Sequence, residues 1–263
     1  MSRLLVGTSG YSYQHWKGVF YPQGLKQAAW LYYYAERFEA VELNVTFYRL
    51  PDHEVFEDWR RRTPDGFRFA VKGSRLITHY HRLHDVREAV HTFFRAASGL
   101  GNKLEVVLWQ LPPKMRADAA RLNAFCSLLR RYSKARQAFE FRQESWFAEE
   151  TYEVLRRHGY ALCIANSPGW ETAEEITAPF TYLRFHGGRV LYGSDYSEAE
   201  LRQWARKARR WLGGGTDVYA FFNNDAHGYA LGNARRLREL LGGRNEAKNV
   251  RDGRSAAPFR EGR

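Results

Sequence analysis

Eight short apolar runs rich in strand-forming residues recur along this chain, most of them separated by a stretch with helical spacing. In chain order the runs are Leu4–Ser9, Ala40–Phe47, Phe67–Gly73, Leu104–Leu111, Arg136–Gln143, Ala161–Ser167, Thr181–Gly187 and Asp217–Asn224. Eight strand–helix units in 263 residues match the size of a barrel. A doubly wound sheet alternates in the same way, but the segment Gly7–Gly10 lacks the G-x-G-x-x-G spacing of dinucleotide-binding folds. The sequence therefore predicts an α/β fold, a single (β/α)8 TIM-like barrel.

The predicted barrel occupies residues 1–241. Helices are expected at His53–Arg62, Ala119–Tyr132 and Tyr229–Leu241, and Ser197 with Glu200 forms a capping box before another helix. Only residues 168–180 separate runs six and seven, and two prolines interrupt them, so the helix there is expected to be short or missing. Residues 242–263 are polar and aperiodic, which predicts a basic, disordered tail.

Composition narrows the class of protein. The N-terminus has no apolar leader-like segment, and no run approaches the roughly 18 apolar residues of a membrane span. Cys126 and Cys163 are isolated, one in a predicted helix and one in a predicted strand. Isolated cysteines are typical of reduced proteins. We therefore expect a cytoplasmic protein without a membrane partner; the oligomeric state is left open.

The formal net charge is +12. The tail holds six Lys/Arg and three Asp/Glu, so +9 remains on residues 1–241. A basic body favours anionic partners such as nucleic acid or phosphorylated metabolites. The basic residues of Leu201–Trp211 alternate with apolar ones at helical spacing, which also fits a solvated helix face. Both interpretations stay open.

Charged and polar residues stand at the ends of the predicted strands. In a TIM-like barrel these ends open onto one mouth, where active sites are built. We therefore identify a catalytic set, in which carboxylates exchange protons, a lysine stabilises negative charge and a histidine shuttles a proton. The set is Glu42, Lys72, Glu140 and His186.

Two of these strand ends carry more specific expectations. Strict alternation places Glu42, Asn44 and Thr46 on one face. Lys72 has three possible roles: it forms a Schiff base, holds an anion, or pairs with Glu42 or Glu140. If the charges serve a ligand, Glu140→Gln should keep or raise the stability of the fold; if they pair only with each other, it should lower stability. We expect the first outcome, because charges at the strand ends of a barrel are typical site residues.

A second set supplies substrate-binding candidates from loops and strand ends, including small residues, aromatics and amides that suit a ligand pocket. Its members are Gly10, Tyr11, Asn44, Tyr48, His79, Gln110, Arg142, Trp146, Asn166, Arg184, Asn223 and Asn224. His79, His81 and His84 resemble a metal motif, but they follow a strand in a loop with Arg82 among them. We therefore expect no metal and no cofactor.

Several motifs in fixed order identify a resemblance. They are Gly7–Tyr11, Trp16–Gly18, Phe20–Pro22, Glu42–Pro51, Ile77–His79, Gln110–Pro113, Glu140–Arg142, Ser145–Trp146, Tyr182–Gly187, Phe221–Asn224, Tyr229–Ala230 and Asn233–Ala234. Over about residues 4–241 the chain resembles the YecE-like barrels, domain-of-unknown-function family seventy-two. The resemblance implies a TIM-like barrel and, by analogy, a similarity to DNA-acting barrel endonucleases.

One residue departs from the resemblance. Asn166 stands where an Asp is expected in that family. An amide can still donate and accept hydrogen bonds, so a binding role would survive, whereas an acid, base or metal-ligand role would be impaired. The dense His/Asp/Glu set of metal-dependent endonucleases is also absent from the sequence.

Three functions remain open from the sequence. The first is an enzyme of hydrolase or lyase type acting on an anionic substrate, phosphate-containing or nucleic-acid-derived, with carboxylate acid/base groups and Lys/Arg charge stabilisation. The second is a nucleic-acid-binding protein without catalysis. The third is a carbohydrate-active enzyme using Glu42 and Glu140 as a pair.

Overall fold

The computed structural model describes residues 2–242. Within them eight parallel strands, β1 to β8, close into a barrel in chain order, with β8 paired to β1. The strands are Leu4–Ser9, Ala40–Leu43, Arg68–Lys72, Leu104–Gln110, Arg136–Glu140, Ala161–Asn166, Phe180–Phe185 and Asp217–Phe222. The predicted single TIM-like barrel is confirmed. The predicted tail lies outside the described residues, apart from Gly242.

Helices surround the barrel. The α-helices, α1 to α8, are Trp30–Ala35, Val45–Tyr48, His53–Arg61, Arg87–Ala97, Ala119–Leu129, Glu149–His158, Glu198–Gly213 and Tyr229–Leu240. Shorter helical turns are Gln14–Trp16, Gln27–Ala29, Leu76–Tyr80, Ser98–Lys103 and Glu144–Trp146. Ser197 and Glu200 make the predicted capping box at the start of α7. Residues 167–179, all of which the structure describes, contain no helix, as predicted for the connection between β6 and β7.

The second strand is shorter than predicted. It ends at Leu43, and Asn44 adopts a helical backbone conformation that starts α2. The side chain of Thr46 donates a hydrogen bond of 2.5 Å to the carbonyl of Lys72, which ties α2 to the end of β3. The expectation that Glu42, Asn44 and Thr46 share one strand face is therefore wrong. Strand propensity in Val45 and Thr46 is overridden by this tertiary contact.

Inside the barrel, alternate residues of each strand change from apolar to polar toward the mouth. An apolar interior cluster includes Ala40, Ala70, Leu108, Ala138 and Tyr182. Two residues further along the same strands stand polar side chains: Glu42, Lys72, Gln110, Glu140 and Arg184. Since side chains two apart share a strand face, these polar groups form a layer above the apolar one, at the carboxyl ends of the strands.

A larger apolar layer packs the outer strand faces against the helices. It holds most of the buried aromatic side chains, including Trp16, Trp30, Trp109 and Trp146. Cys126 on α5 and Cys163 on β6 are buried free thiols. Within residues 2–242, no helix combines the length and apolar composition that a bilayer crossing requires.

Candidate functional site

A cavity of about 740 Å³ opens at the carboxyl ends of the strands. We call it the mouth cavity. Its lining consists of Tyr13, His15, Asn44, Phe47, Tyr48, Lys72, Arg75, His79, Tyr80, Gln110, Pro113, Arg142, Arg184, Tyr192, Asn223, Asp225 and Ala226. Lysine and arginine outnumber the acidic residues in this lining by four to one. The mouth cavity therefore offers positive charge and aromatic surface together.

Beneath the mouth cavity, Arg184 of β7 joins two carboxylates from other strands. Its Nε and Nη2 donate to the Oε2 and Oε1 of Glu42 at 3.0 and 2.7 Å. Its Nη1 donates to Oε2 of Glu140 at 2.6 Å. All three side chains are at most 1% exposed. Arg184 thus neutralises β2 and β5 charges across the barrel interior.

Each carboxylate has a further partner. The Nε of Arg142 donates to Oε1 of Glu140 at 2.8 Å, and its Nη2 forms an ion pair with the same oxygen at 2.8 Å. The hydroxyl of Tyr182 donates to Oε2 of Glu42 at 2.7 Å. Burial alone would raise the pKa of both carboxyls, but Arg184 holds the pKa of Glu42 below its ordinary value. Arg184 and Arg142 together hold that of Glu140 well below its ordinary value. Both groups are ionised acceptors and neither stores a proton near neutral pH.

Lys72 has a different environment. Its side chain is 8% exposed, and its Nζ lies 4.0 Å from the centre of the Phe47 ring. Among residues 2–242, no carboxylate oxygen lies within 4.0 Å of this ammonium, so the predicted pairing with Glu42 or Glu140 does not form. Burial lowers the pKa of Lys72 to about 7, with a further lowering by Arg184 and opposition from Glu140 and Glu42. Lys72 exchanges a proton in the physiological range.

His186 lies behind the mouth cavity and is fully buried. The amide nitrogen of Asn223 donates to its Nδ1 at 3.1 Å, which leaves the hydrogen on Nε2. That Nε2 is 3.6 Å from Oε1 of Glu140, too long for a hydrogen bond. Burial and Arg184 lower the pKa of His186 to about 4, although Glu140 opposes them. A neutral imidazole with this pKa is a poor proton shuttle at pH 7.

His79 lies on the wall of the mouth cavity, on the helical turn after β3. Its Nδ1 is 2.9 Å from the hydroxyl of Thr78, and its ring meets that of Phe47 edge-on at 4.9 Å. Burial lowers the pKa of His79 to about 4, with Lys72 and Arg142 adding to the shift. His79 is therefore a neutral hydrogen-bonding group next to Lys72.

The sequence analysis missed an acidic group in the mouth cavity. Asp225 accepts from Nε1 of Trp16 at 2.9 and 3.0 Å through its two oxygens, and its Oδ2 is 2.9 Å from Nε2 of His15. Burial raises the pKa of Asp225 to about 6, while Trp16 and His15 lower it. The predicted site took Asn223 and Asn224 from the end of strand eight and left out the next residue, Asp225.

Two further groups at the rim were also missed. The guanidinium of Arg75 lies 5.8 and 5.6 Å from the ring centres of Tyr48 and Tyr80, both exposed. The guanidinium of Arg142 lies 4.0 Å from the ring centre of Trp170. Arginine on an aromatic face is stabilised by the ring quadrupole. Nothing in the strand pattern marks Arg75 or Trp170, because both lie in connections between elements.

The structure brings together only part of the predicted site. Lining the mouth cavity are Lys72, Asn44, Tyr48, His79, Gln110, Arg142, Arg184 and Asn223. The side-chain Oδ1 of Asn44 is buried without a hydrogen-bond partner among residues 2–242, which suits a ligand donor. Beneath the lining lie Glu42, Glu140 and His186. Their side chains contact the lining residues Arg184, Arg142 and Asn223.

Five predicted substrate-binding residues do not line the mouth cavity. Trp146 stacks on Phe141 and donates to the carbonyl of Met115, so it serves packing. Asn224 donates to Ser194 and Asn233. The side chain of Asn166 accepts from Tyr196 at 2.7 Å, a role that an Asp could also fill. Gly10 has a φ of +95°, and its amide donates to Glu42. Tyr11 is half-buried against Tyr34.

Residues 2–242 contain no group of three or more His, Cys, Asp or Glu side chains placed to hold a metal ion. His79 lines the mouth cavity, whereas His81 and His84 are exposed on the following loop. The anionic groups nearest the mouth are occupied by arginines or by His15 and Trp16. The absence of a bound metal stays a prediction, which metal analysis of the purified protein tests.

Among proteins of known sequence, the UPF0759 protein YunF of Bacillus subtilis is 26% identical over 252 residues, covering 84% of this chain and 89% of YunF. The UPF0759 protein YecE of Escherichia coli is 38% identical over 79 residues, covering 30% of this chain and 29% of YecE. The longer match shows that the likeness extends over most of both chains.

Solved structures give the same result. A DUF72 family protein, TM1631 of Thermotoga maritima, superposes with a TM-score of 0.81 at 33% identity over 91% of this chain and 99% of its own. A glycoside hydrolase, GH5_18 of Bifidobacterium longum, superposes with a TM-score of 0.54 at 10% identity over 92% and 78%, which concerns the fold alone. The family model described as "Protein of unknown function DUF72" matches residues 5–257. This chain therefore belongs to the DUF72 family, as its motifs predict.

Proposed function

We propose that this protein is an enzyme of hydrolase or lyase type that binds an anionic substrate, phosphate-containing or nucleic-acid-derived, in the mouth cavity. One observation carries the proposal: Lys72 and Arg75 line the cavity without a carboxylate partner within 4.0 Å among residues 2–242. Cations held beside a cavity without a counter-ion favour an anionic ligand. Arg142 adds donor capacity, because its Nη1 takes no part in its bonds to Glu140.

The residue roles differ from those expected from sequence. Glu42 and Glu140 are the structural counter-ions of Arg184 and Arg142, so we assign them to positioning. Lys72 replaces them as the acid/base group, because its pKa of about 7 gives both protonation states at neutral pH. Arg75 and Arg142 are assigned to binding the negative charge of the substrate.

Binding of small anions to purified protein tests the proposal. Calorimetry with inorganic phosphate, and with phosphorylated sugars and nucleotides, should give binding that Arg75→Met weakens by about tenfold or more, since a bond to a charged group contributes about 1.5–3 kcal/mol. Arg206→Met is the matched control, because Arg206 is exposed on α7 outside the cavity. Equal affinity in both variants, or no binding of any anion, would contradict the proposal.

A second candidate is nucleic-acid binding without catalysis. Its specific support is the rim, where the exposed Tyr48 and Tyr80 stand beside Arg75. Exposed aromatics next to a cation provide stacking surface for bases. This candidate requires affinity for single-stranded oligonucleotides that depends on Tyr48 and Tyr80 and falls steeply with salt.

The carbohydrate-active alternative loses support. A glycosidase pair needs one carboxyl with a raised pKa as the acid. Glu42 and Glu140 instead share the guanidinium of Arg184, and the pKa of each lies below its ordinary value. We do not propose this function for the chain.

A further inference from the structure

We propose that Lys72 forms a Schiff base with the carbonyl group of an anionic aldehyde or ketone that binds in the mouth cavity. The proposal rests on the proposed function, since it requires an anion in that cavity. It names the covalent step and narrows the substrate class to a carbonyl compound that carries a phosphate or carboxylate group elsewhere in the molecule.

The first support is the place of Lys72. Lys72 is the last residue of β3 and lies two residues after Ala70, on the same inward-facing side of the strand. Its side chain therefore belongs to the polar layer at the mouth, above the apolar interior. Thr46 fixes the backbone of Lys72 through its carbonyl. The amine is thus held on a rigid strand end at the cavity wall.

The second support is the surroundings of the amine. The ring of Phe47 covers one side at 4.0 Å. Both nearby carboxylates are bound to Arg184, so the charge of a protonated Lys72 has no direct counter-ion. Lysines act as nucleophiles when burial or a neighbouring cation favours the neutral amine, and both conditions hold here through the burial of Lys72 and the charge of Arg184. The face of the Phe47 ring acts in the opposite sense, because it attracts the ammonium form. Near pH 7 about half of the Lys72 side chains are neutral, in line with a pKa of about 7.

The step is balanced without any oxidant or reductant. The lone pair of the neutral amine attacks the carbonyl carbon and gives a carbinolamine, in which one proton has moved from nitrogen to oxygen. A proton from solvent then lets that oxygen leave as water, and the nitrogen becomes an iminium. Amine, carbonyl compound and one proton therefore yield iminium and water. His79, neutral at this pH, lines the same cavity as a hydrogen-bonding group, and the proton comes from solvent.

The third support is a separate place for the anionic end. Arg75 has no ion pair among the residues that the structure describes, and the Nη1 of Arg142 is likewise unused. The positive iminium replaces the ammonium at Lys72, so it leaves these guanidinium groups available. The amine and the arginines thus recognise the two ends of one molecule.

Reductive trapping tests the proposal. The protein is incubated with dihydroxyacetone phosphate, glyceraldehyde 3-phosphate or pyruvate, reduced with borohydride, and examined by intact mass and peptide mapping. A reduced adduct adds the mass of the probe less one oxygen atom. We expect label on Lys72, at least tenfold above that from unphosphorylated dihydroxyacetone or glyceraldehyde. Labelling should reach half its maximum near pH 7, where a surface lysine is still protonated.

Matched variants control for folding and for general lysine labelling. Lys72→Met and Lys72→Arg both remove the nucleophile, and Lys72→Arg keeps the charge; each should abolish the labelling. Lys207→Met removes a lysine of α7 that pairs with Glu174 and should leave labelling unchanged. Label that persists in both Lys72 variants overturns the Schiff base.

Calorimetry with phosphate separates the two proposals. Phosphate binding that depends on Arg75, without any Lys72 adduct from the anionic probes, overturns the Schiff base and leaves the anion site standing. Absence of both binding and adduct overturns both. An adduct on Lys72 that forms equally well from charged and uncharged probes overturns the anionic substrate class.

Discussion

Buried charges in this barrel occur in two kinds of environment. Arg184 has every one of its three nitrogens bonded to a carboxylate, and the carboxylates are bonded in turn by other donors. The ammonium of Lys72 instead contacts an aromatic ring and faces the mouth cavity. Removing one partner of a buried ion pair strongly lowers the stability of the fold, because it leaves the other charge unpaired. A buried charge that already has no partner lowers stability by being there. The two environments therefore predict opposite effects of mutation.

Neutralising Glu140 should destabilise the fold, contrary to the expectation from sequence, because Glu140 is paired with two arginines and not with Lys72. Glu140→Gln leaves Arg184 and Arg142 without the charge that both contact, and breaking a buried pair in this way costs about 3–5 kcal/mol. Urea unfolding at pH 7 measures it. Glu149→Gln, which breaks an exposed pair with Arg156, should change stability little. Equal stability of Glu140→Gln and the wild type would contradict the structural role assigned here.

Removing the Lys72 charge should stabilise the fold. The folded pKa of about 7 lies below the unfolded value of 10.5, so above pH 7 the unfolded chain holds a proton that the folded chain has lost. Wild-type stability therefore gains up to about 1.4 kcal/mol per pH unit between these values. The advantage of Lys72→Met should be largest below pH 7 and shrink toward pH 9 in urea titrations.

Lys103 provides the contrast for that prediction. It is also buried, but its Nζ donates to the carbonyls of Arg60 and Thr63 and to the Thr63 hydroxyl. Lys103→Met leaves these acceptors unsatisfied and should lower stability. If Lys72→Met behaves like Lys103→Met at every pH, Lys72 has a structural partner and the site hypothesis fails.

At the scale of strands and helices, period and punctuation predicted most of the fold. The eight apolar runs predicted the strands, and the helix starts predicted at Ala119 and after the Ser197 capping box are confirmed by the structure. The end of β2 was wrong because α2 is held by a contact with β3 that is remote in sequence. Local propensity carries no information about such a contact.

The sequence also predicted part of the candidate site. Strand ends in a closed barrel converge, so placing Lys72, Arg142 and Arg184 there required only the fold class. Their partners depend on which side chains meet across the barrel, which one sequence does not specify. The pairing of Arg184 with Glu42 joins β2 and β7, whereas the sequence offered a pairing of Glu42 with Lys72 only as one of three open roles for that lysine. Alternation places Tyr182 on the same strand face as Arg184, two residues earlier. The sequence alone could therefore have marked Tyr182 as another residue of the barrel interior near the site.

Close packing of β1 on β2 gives a test at this scale. A Cβ on Gly7 would lie 2.1 Å from the carbonyl oxygen of Ala40, a backbone atom that cannot turn away. Gly7→Ala should therefore lower stability by about 1–3 kcal/mol. Gly232 is at an exposed position of α8, where a Cβ would meet nothing within 4 Å, so Gly232→Ala should raise stability by about 0.5–1 kcal/mol. Thermal and urea unfolding of both variants check the opposite signs; a stable Gly7→Ala would show that β1 and β2 can separate.

For the molecule as a whole, the positive charge divides between the mouth cavity and the helix faces. On α7 and α8 several basic residues have acidic partners, such as Arg202 and Arg236 with Glu198 and Lys207 with Glu174. Such exposed pairs reduce the field that a polyanion meets. Lys72 and Arg75 in the cavity have no such partner among residues 2–242. Arg206, Arg209 and Arg210 on α7 also have no acidic partner within 4.0 Å among these residues, so unpaired positive charge lies both in the mouth cavity and on the helix faces. In the mouth cavity it lines a concave space that suits a small ligand or a chain end.

This distribution predicts different behaviour of small and large anions. A phosphorylated carbonyl compound should lose most of its affinity in Arg75→Met and keep it in Arg206→Met. A single-stranded oligonucleotide of about twelve nucleotides should bind weakly through the general basic surface. It should be equally sensitive to both substitutions and lose affinity steeply, by roughly 300-fold for six phosphate contacts between about 50 and 200 mM salt. Fluorescence anisotropy and calorimetry across a salt series measure both. Tight oligonucleotide binding that depends on Arg75, Tyr48 and Tyr80, and not on Arg206, would instead favour nucleic acid as the ligand of the mouth cavity.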